Sequence, residues 1–170
     1  MNARFSGLLF LLLCAAGCSG TTVDVLTNAE PGYDFSGRKT YKWLEVKPSQ
    51  IFPIQTQDPA DLDARIKAAV ERELSDKDFR RADDADYVLR YGIHAGERTL
   101  SNPYPSTTDW DPTQDPTKYG QAALILDFLD ATSNERVWRG AALTDVLSGE
   151  GRKKVDAVVS RILERFPPQQ

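Results

Sequence analysis

Two apolar runs separated by a short polar turn constrain this chain more than any other feature. Ala122 to Asp130 and Arg136 to Val146 flank Ala131-Thr132-Ser133-Asn134-Glu135, a pattern that predicts two antiparallel strands joined as a hairpin. Successive side chains of a strand point to opposite faces. Ala122, Leu124, Leu126 and Phe128 therefore share one wholly apolar face, which must meet the helices of the domain. The other face carries Ala123, Ile125, Asp127 and Leu129. With Phe128 opposite Trp138, Asp127 falls opposite Arg139 and Leu129 opposite Val137. Opposite charges facing across strands contribute about 0.2–1 kcal/mol. Asp127–Arg139 thus reads as a structural cross-strand pair that fixes register, ahead of a catalytic acid with its modulator. The rest of that face is apolar for one that meets only water. Ile125, Leu129, Val137, Ala141 and Leu143 form either a surface for an envelope protein or a second copy, or a patch covered by a loop at 45–57 or 101–119.

The flanking segments supply the rest of one α+β domain. A first strand is predicted around Val23 to Thr27 and a second over Lys39 to Leu44, with residues 45–57 as loop. Asp58 can cap a helix that Pro59 opens and Asp61 favours electrostatically. Leu62, Ile66, Ala69, Val70 and Leu74 then make one apolar stripe, ending near Lys77-Asp78, where Asp78 tolerates a left-handed turn. From Asp86 the period becomes two. Tyr87, Leu89, Tyr91, Ile93 and Ala95 take one face; Val88, Arg90, His94 and Arg98 take the other. A last helix over Gly151 to Phe166 presents Val155, Val158, Val159, Ile162 and Phe166 before Pro167-Pro168 stops it. The order is β-β-α-β-β-β-α. The predicted fold is a two-layer α+β domain, a mainly antiparallel sheet of about five strands with two helices on one face.

The amino terminus carries an address. Arg4 precedes an apolar stretch from Phe5 to Ala16, too short for a permanent membrane span, and the small pair Ala16-Gly17 precedes Cys18. Cys14 follows three leucines, a poor cleavage site, so Cys18 is the cysteine at the cut. The pattern resembles a lipobox with Ala15 in place of the usual leucine, which implies lipidation of Cys18 and anchoring in a membrane. An ordinary signal peptide with an incidental Cys18 is the other reading. Ser19 after the cysteine resembles an outer-membrane address, periplasm-facing. Residues 1–17 are then a signal, 18–21 a lipidated tether and 22–170 the domain.

Arg4 is the only charge in residues 1–17, so the remainder holds 20 basic and 25 acidic side chains. That balance argues against nucleic acid, which wants a basic stripe, and against a polybasic grip on lipid. With Cys14 removed and Cys18 modified, no disulfide, thiol nucleophile or cysteine-based metal site remains.

Together, DFSGRKTYKW at 34–43, DPADLDARIKAAVERELSDKDF at 58–79, ADYVLRYGIH at 85–94, YGQAALILDFLDATSNERVWRG at 119–140 and RILERFPP at 161–168 resemble the bacterial lipoprotein family known as domain of unknown function 4136. Asp78 stands where such proteins often have glycine, and residues 101–119 have no counterpart that aligns. The resemblance implies an envelope location and an α/β fold; it implies no activity, catalytic residue or cofactor.

Candidate chemistry is sparse. His94 is the only histidine, and acid–base or zinc chemistry there requires carboxylates converging from elsewhere. Asp109-Trp110-Asp111 with Asp115 lacks the glycine and the bidentate glutamate of a calcium loop, so no metal site is assigned. Trp43 and Trp138 sit on strands as core residues, whereas Trp110, on a proline-rich loop, is a candidate contact for a partner or ligand. The reading that results is a noncatalytic membrane-anchored lipoprotein acting as a protein-binding or assembly module. The alternatives are a binding module for a small molecule or cell-wall fragment, with a pocket near Tyr104, Trp110 and Tyr119, and a hydrolase joining His94 to Asp127.

Overall fold

The computed structural model describes residues 23–51, 57–94, 123–144 and 146–168. The elements run β1 (Asp24–Ala29), β2 (Thr40–Trp43), α1 (Pro48–Ile51), α2 (Pro59–Ser75), β3 (Arg80–Arg81), β4 (Tyr87–His94), β5 (Ala123–Asp130), β6 (Arg136–Leu143), α3 (Gly149–Lys153) and α4 (Val155–Leu163). They build one six-stranded sheet in the order β1-β6-β5-β4-β2-β3. Trp110, Cys18, the loop at 101–119, Ala95, Arg98 and Ala122 lie outside the described residues. Among the described residues, no helix is long and apolar enough to cross a membrane.

The α+β layering follows from the patterns in the chain, with three differences of detail. First, β2 pairs in parallel with β4. The chain passes through α2 between them, and a crossover helix returns it in the same direction, which makes adjacent strands parallel. Second, the two residues of β3 pair with β2 as a sixth strand, too short to leave a periodic signal. Third, residues 45–57 contain a single helical turn, α1, whose Ile51 is buried, and the last helical stretch breaks at Lys154 into α3 and α4.

The helix termini are locally encoded. Asp58 accepts a hydrogen bond from Asp61 N–H at 3.1 Å, and Pro59 occupies the first turn. Asp78 has φ +65°, the left-handed conformation that a short polar side chain tolerates after a helix. Ser148 Oγ accepts from Gly151 N–H at 3.0 Å and starts α3.

The main core lies between the sheet and the α2–α4 layer. Trp43, Leu89, Phe128, Trp138 and Ala29 form one continuous row across five strands. Phe166, just beyond α4, stacks on Phe128 with ring centres 3.9 Å apart and meets Trp138 edge-on at 5.0 Å. Gly140 permits this closeness: a Cβ there would press on Trp138 Cη2 and stand 2.5 Å from Ile162 Cγ2.

The turn after β5 is pinned by Asp130. Its Oδ1 accepts from Thr132 N–H and Ser133 N–H, both at 2.9 Å. Its Oδ2 accepts from the Tyr33 hydroxyl at 2.7 Å and Arg38 Nη1 at 2.9 Å, tying the hairpin to the β1–β2 connection.

Candidate functional site

The densest charged cluster stands on the sheet face opposite the helices. Register places Asn28, Arg139, Asp127 and Arg90 side by side on β1, β6, β5 and β4. Arg139 Nε donates to Asp127 Oδ1 at 2.6 Å and its Nη2 to Oδ2 at 2.8 Å, a two-pronged grip. Arg90 Nε donates to Oδ2 from the opposite strand at 2.9 Å. Asp127 and Arg90 are buried, and the Arg139 side chain is 11% exposed. Burial pushes the Asp127 carboxyl up, but the hydrogen bond and charge of Arg139, with the charges of Arg90 and Arg136, outweigh it and hold the group below the usual carboxylate range. Arg136, half-buried beside the same charges, is pushed below the ordinary arginine value, first by burial and then by Arg139.

Asp127 is thus a fully committed anion, with both oxygens engaged by guanidinium groups. Such a carboxylate serves poorly as a proton carrier near neutral pH, because its charged form is the one that its neighbours favour. Arg90, assigned from sequence to this face, is the partner that sequence reasoning missed. Its nearness to Asp127 depends on which strand borders β5, information that no local pattern holds.

The apolar candidates divide. Ile125 packs with Ala123 and Ala141, and with Leu143 at the margin, in a small cluster separate from the main core. Leu129 pairs with Arg136, because the ladder shifts register after Phe128, and the expected Leu129–Val137 pairing does not form. The bulge makes Val137 an extra residue in β6, and it joins the main core instead of the Ile125 cluster. Ile125, Leu129 and Val137 are only 2%, 3% and 3% exposed, and Leu143 is half-buried. The open apolar patch predicted from these four is therefore corrected: they are covered within the chain. Among the described residues the exposed large apolar side chain is Leu26, 46% exposed, on the edge strand beside Ala141.

His94 closes β4 opposite Ala123, four pairs along from Arg90–Asp127. Among the described residues, no group of three or more His, Cys, Asp or Glu side chains converges as a metal site would. A shallow cavity of about 230 Å³ is bordered by Glu30, Tyr33, Phe35 and Pro168. It is smaller than the ~300–1,000 Å³ typical of ligand sites.

A family model described as "Domain of unknown function (DUF4136)" matches residues 25–168. No curated protein matches the chain in sequence. Among solved structures, a PDZ domain protein from Parabacteroides distasonis superposes with a TM-score of 0.57 at 14% identity, over 87% of this chain and 36% of that one. The chain thus spans about a third of that protein, and the likeness is one of fold. PelC from Paraburkholderia phytofirmans, solved as a dodecamer, aligns over 88% of this chain and all of its own at 13% identity, with a TM-score of 0.46.

Proposed function

The chain belongs to the family of domain of unknown function 4136, and from that premise we propose that it is a noncatalytic lipoprotein of the cell envelope, anchored through Cys18 and serving as a protein-binding or assembly module. The observation that carries this reading is the join between address and domain. The lipobox-like segment ends at Cys18, and β1 begins at Asp24. Residues 19–23 can reach at most about 20 Å when extended, so an anchor at Cys18 keeps the sheet edge close to the bilayer. Multiple acyl chains, at about 0.8 kcal/mol per buried methylene, suffice for stable attachment without a basic surface. Ser19 favours the outer membrane, with the domain facing the periplasm.

The engagement of Asp127 by Arg139 and Arg90 supports an architectural role for the charged cluster over a catalytic one. The partner expected for such a module is another envelope protein or a second copy, not nucleic acid, given the acidic balance of the chain.

Metabolic labelling with a fatty-acid analogue tests the anchor. The parent chain takes up label and sediments with membranes, whereas Cys18→Ser loses label and is released; equal labelling of both overturns the anchor. In-cell cross-linking followed by mass spectrometry tests the assembly role. A recurrent protein adduct is expected, and none above that of an unrelated anchored protein overturns it.

A further inference from the structure

The sheet has two edges, the two-residue β3 and the six-residue β1. Glu30 N–H donates to Val137 O at 2.8 Å, which extends the β1–β6 ladder and shows that the even-numbered residues of β1 turn their backbone groups toward β6. Val25, Thr27 and Ala29 accordingly point theirs outward. The bond from Arg165 Nη1 to Val25 O, 3.3 Å long and exposed, agrees with that direction. Among the described residues no hydrogen bond reaches the outward groups of Thr27 or Ala29. The strand contains no proline, and Leu26 stands exposed at its centre. An edge strand with outward backbone groups and a central apolar side chain is a template for another strand.

We propose that β1 pairs antiparallel with β1 of a second copy of this chain, with Leu26 facing Leu26 across the two-fold axis. Two arguments select a second copy and this register. The outward residues must form the hydrogen-bonded pairs, which here are Val25 with Thr27 of the second copy and the reverse, so Leu26 falls on a close, non-hydrogen-bonded pair. Asp24 then faces Asn28 of the second copy. The alternative centred on Thr27 sets Asp24 against Glu30, and like charges directly opposite are destabilising. The strand is thus self-complementary in backbone and apolar contact, and this register sets no like charges opposite each other. Thr27 N–H of the second copy replaces Arg165 on the Val25 carbonyl. The row Leu26–Ala141–Ile125 continues across the axis into its own mirror sequence.

Cysteine cross-linking of the full chain in membranes of producing cells tests the pairing. Non-hydrogen-bonded partners lie about 4.5 Å apart at Cα, within the about 4.4–6.8 Å that a disulfide spans. Under mild oxidation Leu26→Cys gives a covalent dimer at least tenfold above the parent chain and above Asn28→Cys. Asp24→Cys and Asn28→Cys, produced together, cross-link to each other and not to themselves. Thr27→Pro, which removes only an outward N–H, lowers the Leu26→Cys yield at least tenfold while the melting temperature holds. Absence of the Leu26→Cys dimer, equal self-cross-linking at Asn28→Cys, full yield with Thr27→Pro, or a cross-linked band containing a different protein each overturns the proposal.

Discussion

Arg139 grips Asp127 through two nitrogens, Nε at 2.6 Å and Nη2 at 2.8 Å, in a sheet face where the carboxylate is buried. The pair carries more weight than an exposed cross-strand contact, because removing one member leaves the other charge without compensation in a poorly solvated site.

Asp127→Ala is therefore expected to cost about 3–5 kcal/mol. Urea denaturation of the parent and variant chains measures it. A loss below about 1 kcal/mol would mean that water screens the cluster as it does surface pairs.

The same arrangement sets an acid limb. The carboxyl of Asp127 is held below its usual range in the folded chain, whereas the unfolded chain titrates near 3.9. A depressed folded value contributes stability that is present above the unfolded value and lost as pH falls through the folded one. The stability difference between the parent chain and Asp127→Asn should hold constant from neutral pH to about 5 and shrink below about 4. A difference unchanged down to pH 2 in thermal melts would refute the linkage.

Gly140 is an interior contact rather than a hinge. Any Cβ at this position meets the Trp138 ring and Ile162, so Gly140→Ala forces β6 and α4 apart. The expected loss is about 1–3 kcal/mol, the usual cost of overpacking. Ile162→Leu in the same chain, which takes away the Cγ2 methyl that the new Cβ would meet, should recover part of it, and no recovery would place the strain elsewhere.

Two tyrosines should respond in opposite ways. The Tyr33 hydroxyl donates to Asp130 at 2.7 Å, and hydrogen bonds to charged groups contribute about 1.5–3 kcal/mol. Among the described residues the buried Tyr87 hydroxyl has no partner at hydrogen-bonding geometry, and such a group costs about 1–3 kcal/mol in desolvation. Tyr33→Phe is expected to destabilise the chain, and Tyr87→Phe to leave it unchanged or more stable. A clear loss with Tyr87→Phe would show that its hydroxyl is satisfied.

Local patterns made much of this legible. The period of two across 123–130 and 136–143 places Asp127 opposite Arg139 and Phe128 opposite Trp138, because a five-residue connection leaves few registers for a hairpin. The stripe Leu62, Ile66, Ala69, Val70 and Leu74 marks the buried face of α2. Asp58 and Asp78 announce its ends through their own side-chain chemistry. The bulge that shifts Leu129 onto Arg136 leaves no such trace, since one extra residue preserves the apolar composition of the strand.

Arg90 and Leu26 mark the boundary between the two kinds of information. Alternation along β4 puts Arg90 on the outer face, yet its contact with Asp127 exists because β4 borders β5, across residues 95–122. Alternation along β1 likewise says nothing of whether that strand lies inside the sheet or at its edge. Strand order exposes Leu26 and aims the Thr27 and Ala29 backbone groups away from the sheet. Residue periodicity reports the environment that each side chain needs, and the amino acids alone specify helices, strands, caps and the apolar layer. Which strands become neighbours is settled by competition among distant segments for the same core. Burial of the Asp127 cluster and the open β1 edge are consequences of that competition.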